Sequence, residues 1–112
     1  VSNVEDMESM FLFCSCLNHS LAYWDVSSVT NMKYMFHGCS CFNQFLGNWD
    51  VANVTDMEHM FADCSNFKQS LANWNVTRGC IMYGMFRNCR SLDQNEVEAW
   101  QLSLVKDDHD LF

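Results

Sequence analysis

Apolar and aromatic positions recur along this chain at intervals of 25 residues. The tryptophans Trp24, Trp49 and Trp74 mark the interval most clearly. The same shift aligns a valine, two methionine, a phenylalanine and a cysteine series: Val1, Val26, Val51 and Val76; Met7, Met32, Met57 and Met82; Met10, Met35, Met60 and Met85; Phe11, Phe36, Phe61 and Phe86; Cys14, Cys39, Cys64 and Cys89. A fixed period of about 20 to 50 residues is typical of stacked units that cannot bury their apolar faces alone.

The spacing of apolar residues changes within each unit. Leu46, Trp49 and Val51 form an L-x-x-W-x-V pattern whose last three residues alternate as in a short strand. The residues of the next stretch, Met57, Met60, Phe61 and Cys64, fall at i, i+3, i+4 and i+7, which is the stripe of one helix face. The pattern therefore predicts an α/β repeat solenoid in which each coil is a short strand plus a short helix.

The repeat extends over nearly the whole chain, so we expect residues 1–112 to form a single array. It comprises about three full coils with partial coils at both ends, and residues 93–112 form an irregular end. Val1 enters the pattern in mid-unit, which leaves Met7, Met10 and Phe11 without an outer neighbour. We expect a preceding coil of the same polypeptide, or else a second copy of the chain, to cover this end.

The aligned apolar positions are the predicted structural core. Its members are Trp24, Trp49, Trp74, Met32, Met57, Phe36, Phe61, Cys14, Cys39, Cys64 and Cys89. Gly79 stands where positions 4, 29 and 54 have valine, so the last full coil is expected to lose a core side chain. The next residue, Cys80, falls at a predicted helix start, where the helix dipole could lower its pKa; the alternative is a tolerated substitution.

Charge narrows the classes of partner. Six basic and fourteen acidic residues give a formal net charge of −8, the wrong sign for binding nucleic acid or an anionic membrane surface. The longest apolar runs are only a few residues, so no segment of the sequence is expected to insert into a membrane.

The seven cysteines are the first candidates for chemistry. Four belong to the core series, where a buried thiol packs as a small apolar residue. Cys16 and Cys41 lie outside that series at equivalent positions of adjacent units. Stacked coils bring equivalent residues to about 5 Å, so a disulfide between these two is plausible. An odd total leaves at least one thiol unpaired.

Candidate metal and catalytic residues do not converge in the sequence. Cys14, Cys16 and His19 are spaced C-x-C-x-x-H, which does not match the usual paired zinc pattern. His37 and His59 fall in different columns of the repeat, and His109 falls in a third one because a one-residue insertion precedes Trp100. All three are interpreted as solvated surface residues. The sequence contains no nucleophile elbow, phosphate-binding glycine loop, H-E-x-x-H motif or dinucleotide fingerprint. We therefore expect neither an enzyme nor a bound cofactor or metal.

The repeat resembles the BspA-type leucine-rich repeat, and more closely its 25-residue variant in mycoplasma-type lipoproteins and other bacterial surface proteins. The motif is C-x-x-F/L, L-x-x-W-x-V, V-x-x-M-x-x-M-F-x-x-C. The residues that carry it best are Cys39, Phe42, Asn43, Gln44, Leu46, Asn48, Trp49, Asp50, Val51, Asn53, Val54, Thr55, Met57, Met60, Phe61 and Cys64. The resemblance implies leucine-rich-repeat-like right-handed coils, an extracellular or cell-surface location and recognition rather than catalysis.

A solenoid of this kind binds partners on the concave face of its strands. The residues expected there are Tyr23, Asp25, Asn48, Asp50, Asn73, Asn75 and Gln101. The resulting hypothesis is a non-enzymatic recognition or adhesion module that binds a protein or matrix ligand through this face. The alternative is a structural spacer within a longer surface array, with no ligand of its own.

Overall fold

A computed structural model of the chain describes residues 4–95, 97 and 111. Four turn segments dominate it: residues 6–14, 31–39, 56–64 and 81–89, which we call the first to fourth turn segments. They stack in parallel, each on the next. The 25-residue period of the sequence is therefore the period of the stacking.

Backbone amides connect the turn segments in an alternating pattern. The N–H groups of Met7, Ser9, Phe11 and Phe13 donate to the carbonyls of Asn31, Lys33, Met35 and His37 over 2.7–2.9 Å. The intervening N–H groups donate within their own segment, as Met10 does to Met7. The second and third segments repeat both sets of bonds. At positions 7–14, 32–39 and 57–64, every amide N–H thus has a partner, either in its own turn segment or in the next unit.

The predicted short helices are wrong. Where the stripe Met57, Met60, Phe61 and Cys64 was expected to be helical, the segment consists of overlapping four-residue turns closed by bonds from residue i+3 to residue i. Left-handed backbone recurs at two positions of each segment; the residues are Ser9, Phe13, Tyr34, Gly38, His59, Asp63, Gly84 and Asn88. A helix cannot continue through such residues. Among the described residues, only 94, 95 and 97 are helical.

The predicted strands are wrong as well. The L-x-x-W-x-V stretch turns at Leu46, whose carbonyl accepts the N–H of Trp49. Within the described part of the chain, pairing of strand type is limited to three isolated parallel bridges, Asp6 with Asn31, Asn31 with Asp56, and Asp56 with Ile81. The described residues form no sheet, so the α/β repeat solenoid of leucine-rich-repeat-like coils is not the fold of this chain. Alternating apolar residues are buried here by successive turns instead.

One continuous apolar core runs through the stacked units. Of the residues expected in the core, nine are buried: Trp49, Trp74, Met32, Met57, Phe36, Phe61, Cys39, Cys64 and Cys89. Trp24 is half-buried against this core. Cys14 is exposed, which corrects its assignment to the core. Both residues belong to the first unit, and among the described residues no unit is stacked on its outer side.

The fourth unit does not lose a core side chain at Gly79, contrary to the expectation from the sequence. Cys80 is buried in the place that Val29 and Val54 take in the preceding units, and its N–H closes the turn on Thr77 as theirs do on Val26 and Val51. This turn therefore closes one residue later than in the preceding units, and Gly79 adopts a left-handed φ of +89° within it. Burial raises the pKa of the Cys80 thiol to about 12, which is opposite in direction to the lowering considered for a helix start.

The outer side of the fourth turn segment is covered near its centre. The N–H of Phe86 donates to the carbonyl of Leu111 over 2.7 Å, and the Leu111 side chain is buried. In the part of the chain that the structure describes, no helix has the length and apolar character needed to cross a membrane.

Candidate functional site

The surface expected to bind a ligand is exposed, but it is not a strand face. Tyr23, Asp25, Asn48, Asp50, Asn73 and Asn75 all lie at the surface, while Gln101 lies outside the described residues. Several of these side chains already make hydrogen bonds within the chain. The carboxylate of Asp25 accepts the N–H and the hydroxyl of Ser27 at 3.0 and 2.6 Å, and Asn48 donates to the Ala22 carbonyl at 2.9 Å. The Asp25 bond stabilises its own turn and the Asn48 bond connects two units, and these side chains form no concave sheet.

A different surface brings aromatic and imidazole rings into contact. We call it the aromatic–histidine band, and its members are Phe13, Tyr34, His37, His59 and Tyr83. The His37 ring meets the edge of Phe13 at a centroid distance of 5.2 Å and lies 6.1 Å from His59. Tyr34 stacks on His59 at 5.4 Å, and Tyr83 meets His59 edge-on at 5.6 Å. The band thus crosses all four turn segments.

The convergence of His37 and His59 corrects the interpretation of these histidines as separate, solvated residues. They do occupy different columns of the repeat. The His37 N–H nevertheless closes a turn on the Tyr34 carbonyl, and this turn brings the side chains of these two residues to the same side. His59 takes the Tyr34 position in the next unit, so its ring reaches both. The two imidazole side chains are only 18% and 14% exposed. His109 lies outside the described residues.

Two glycines make room for the band. A Cβ atom on Gly38 would lie 2.4 Å from Cδ1 of Phe13, and one on Gly84 would lie 2.8 Å from Nε2 of His59. Both glycines have a left-handed backbone, which L side chains adopt at a cost. The sequence repeat conceals this relation, because neighbouring units have other residues at these positions.

Charged side chains flank the rings. Each histidine of the band lies near a carboxylate, and each tyrosine lies near a cation. Asp63 lies 3.4 Å from Nε2 of His37, and Glu58 lies 3.6 Å from Nδ1 of His59. Glu58 also accepts a 3.5 Å hydrogen bond from the Tyr34 hydroxyl. The cations of Lys33 and Arg87 each lie 5.5 Å from the centroid of a tyrosine ring, Tyr34 and Tyr83. The band therefore combines both signs of charge in a chain of net charge −8.

Both imidazoles have a buried nitrogen without a hydrogen-bond partner among the described residues, Nδ1 in each case. Burial lowers the pKa of His37, the nearby Asp63 carboxylate opposes that shift, and the neighbouring His59 adds to it. A neutral His37 that donates from Nε2 towards Asp63 fits this environment, since protonation of Nδ1 would place charge where no acceptor is available.

The cysteines divide into buried and exposed groups, and all seven are free thiols. Cys39, Cys64 and Cys89 each donate a 2.9–3.0 Å bond to a phenylalanine carbonyl of the preceding unit. Burial raises the pKa of Cys39 to about 11 and that of Cys89 to about 12. Cys16 and Cys41 are exposed, and the possible disulfide between them is not formed in the structure. The described residues contain no group of three ligands suited to a metal ion.

Sequence reasoning missed the band because it searched for residues in one column. The available signal was the pair of glycines, Gly38 and Gly84, each of which replaces a side chain of the repeat beside an aromatic residue or a histidine of an adjacent unit.

Comparison with known proteins identifies the family of this chain. The family model described as "Mycoplasma protein of unknown function, DUF285" matches residues 1–100, and the chain belongs to that family. No curated protein and no solved structure matches it.

Proposed function

We propose that this member of the DUF285 family is a non-enzymatic recognition module of a BspA-type surface protein, and that the aromatic–histidine band contacts its protein or matrix ligand. The observation that carries the proposal is a band of ring side chains continuous across four units and partly open to solvent. At its two ends, 66% of Phe13 and 48% of Tyr83 are exposed.

The composition of the band favours protein recognition. Tyrosine, phenylalanine and arginine are enriched in protein interfaces, where rigid rings supply contact area at a small entropic cost. Flanking pairs such as Lys33 and Glu58 supply the polar rim that such interfaces have. The polar surface around Asn48 and Asp50 has less to offer, because its side chains already bond to nearby backbone.

Binding fits these residues better than catalysis. A general base needs a ring nitrogen that reaches a substrate proton, whereas Nδ1 of both His37 and His59 is enclosed. Nε2 of His37 faces the Asp63 carboxylate at 3.4 Å, and Nε2 of His59 is packed against Gly84. An extracellular or cell-surface location is part of the same proposal and follows from the resemblance to BspA-type proteins.

Two surface variants distinguish the band from the polar surface. Biolayer interferometry would measure binding of the chain to purified fibronectin and type I collagen as first matrix probes. Phe13→Ala with Tyr83→Ala removes the exposed ends of the band. Tyr23→Ala with Asp50→Lys changes the polar surface by a similar amount. We expect the band variant to lose roughly 30-fold or more in affinity, as aromatic hot spots do, and the polar variant to bind as the wild type does.

The opposite ranking of the two variants would assign binding to the polar surface. A wild-type chain that binds a panel of matrix and cell-surface proteins no better than a scrambled-sequence control would favour the structural spacer. That alternative is supported by the regular backbone ladder between units, which holds them at a fixed spacing without any ligand.

A further inference from the structure

The first turn segment has an uncovered outer side. Met10 is 44% exposed, whereas Met35, Met60 and Met85 at equivalent positions are fully buried. Cys14 is likewise exposed, while Cys39, Cys64 and Cys89 are buried. We call this surface of residues 6–14 the open edge. The difference between equivalent residues measures what a neighbouring unit would cover.

The backbone of the open edge has acceptors without donors. In the second segment, the carbonyls of Asn31, Lys33, Met35 and His37 accept N–H groups from the first. Their equivalents are the carbonyls of Asp6, Glu8, Met10 and Leu12, and no described residue donates to them. A row of four acceptors at alternate residues is complementary to the four alternate N–H groups that each turn segment directs towards the next.

Two side chains at the same edge also lack the bonds of their equivalents. The Trp49 and Trp74 indoles donate to the carbonyls of Leu21 and Leu46 in the preceding unit. The Cys39 thiol donates to Phe11 in the same manner. Trp24 and Cys14 have no such acceptor among the described residues. Backbone and side chains thus indicate the same missing neighbour.

We infer that the open edge is a docking surface for one further unit of this 25-residue repeat, in parallel register with the first turn segment. The added unit would donate to the four carbonyls, accept from Trp24 and Cys14, and cover Met10. All three features already occur together at the interface of the first and second units, so the proposal extends an interface of known geometry by one step.

The ladder is directional, and this argues against a second copy of the chain as the occupant. Two open edges would oppose one row of acceptors with another. The other end of the stack is engaged by Leu111, which accepts the Phe86 N–H. The occupant is therefore a unit joined in line before residue 1, where a 25-residue period brings its turn segment opposite residues 6–14.

An extended chain tests this. A copy of residues 51–75, with Cys64→Ala in the copy, is joined directly before Val1 so that the register is kept. Iodoacetamide labelling of the unextended chain and of the extended chain is then followed for each cysteine by mass spectrometry. We expect the labelling rate of Cys14 to fall by roughly tenfold or more in the extended chain, towards that of Cys39, because labelling then requires local opening. Cys16 stays reactive, since its equivalent Cys41 is exposed although a unit precedes it.

A matched control carries Met60→Asp and Phe61→Asp in the copy, which prevents packing of the added unit and should leave Cys14 as reactive as in the unextended chain. Protection of Cys39 and Cys64 in every sample shows that the stack is folded. Equal Cys14 rates in the two extended chains would overturn the inference. The inference would also be overturned if the unextended chain dimerised in sedimentation experiments and Cys14 became protected in the dimer. The occupant would then be a second copy.

Discussion

The indole N–H of Trp49 donates a 2.9 Å hydrogen bond to the carbonyl of Leu21, which lies 28 residues earlier in the chain. Its ring also stacks on that of Trp74 at 6.4 Å, so a single side chain connects three consecutive units. Both interactions are buried, since Trp49 and Trp74 are each only 3% exposed.

Substitution at Trp49 should separate these two contributions. Trp49→Ala is expected to lower the free energy of unfolding by about 3–5 kcal/mol through loss of the buried ring. Trp49→Phe keeps a ring but leaves the Leu21 carbonyl without its donor, at a cost of about 1–3 kcal/mol. Urea denaturation followed by circular dichroism measures both. A Trp49→Ala protein with the wild-type midpoint would show that the column contributes nothing to stability.

Acidification should weaken the fold through His37. Because the pKa of His37 is lowered in the folded state, the unfolded chain takes up the proton first. Stability is therefore present above the ordinary histidine value of 6.5 and declines as the pH falls below it. His37→Gln should remove part of the difference in unfolding free energy between neutral and mildly acidic pH. His19→Gln, at an exposed histidine, is the control and should behave as the wild type does.

Alkaline pH should act on the buried thiols with the opposite sign. Burial raises the pKa of Cys39 to about 11 from the ordinary 9.0, so the unfolded chain loses the proton first. The stabilising contribution is complete below pH 9.0 and is lost as the pH rises towards 11. Cys39→Ala should flatten the alkaline part of a plot of stability against pH. A Cys41→Ala protein, altered at an exposed thiol, should retain the wild-type slope.

Two glycine substitutions should lower the free energy of unfolding by different amounts, although both place an alanine in a left-handed backbone conformation. Gly79→Ala meets no atom within 4 Å and should cost only the strain, about 1–2 kcal/mol. Gly84→Ala directs its methyl group to 2.8 Å from Nε2 of His59 and should cost more. It should also shift the NMR signals of the Tyr34 and His59 rings, which Gly79→Ala leaves in place. Equal unfolding midpoints would contradict the close packing of His59 on Gly84.

The spacing of residues predicts which side chains are aligned, but not how the backbone aligns them. Met57, Met60, Phe61 and Cys64 lie on one side of a helix, and they also lie on one side of overlapping turns. Propensity does not separate the two, because methionine and phenylalanine are compatible with both. The deciding residues are those with left-handed backbone, and some of them, such as Phe13 and Tyr34, are residue types that rarely adopt it.

The same limitation explains why the sequence did not predict the aromatic–histidine band. A fixed period identifies residues in one column, and it correctly places His37 and His59 in different columns. Contact between columns depends on the turn at Tyr34, which the sequence does not reveal. The family match establishes that the repeat is a recognised domain, whereas the family has no described function to transfer.

The alternation of amide bonds has a mechanical consequence. Each turn segment is attached to the next by a few parallel hydrogen bonds, and the described bonds between units span 23 to 28 residues of sequence, from Asn31–Glu8 to Trp49–Leu21. Force applied between the two termini would therefore peel the stack from its ends. Each peeled unit would release roughly 90 Å of slack polypeptide. A protein held between two surfaces in this way would absorb stretching in discrete increments.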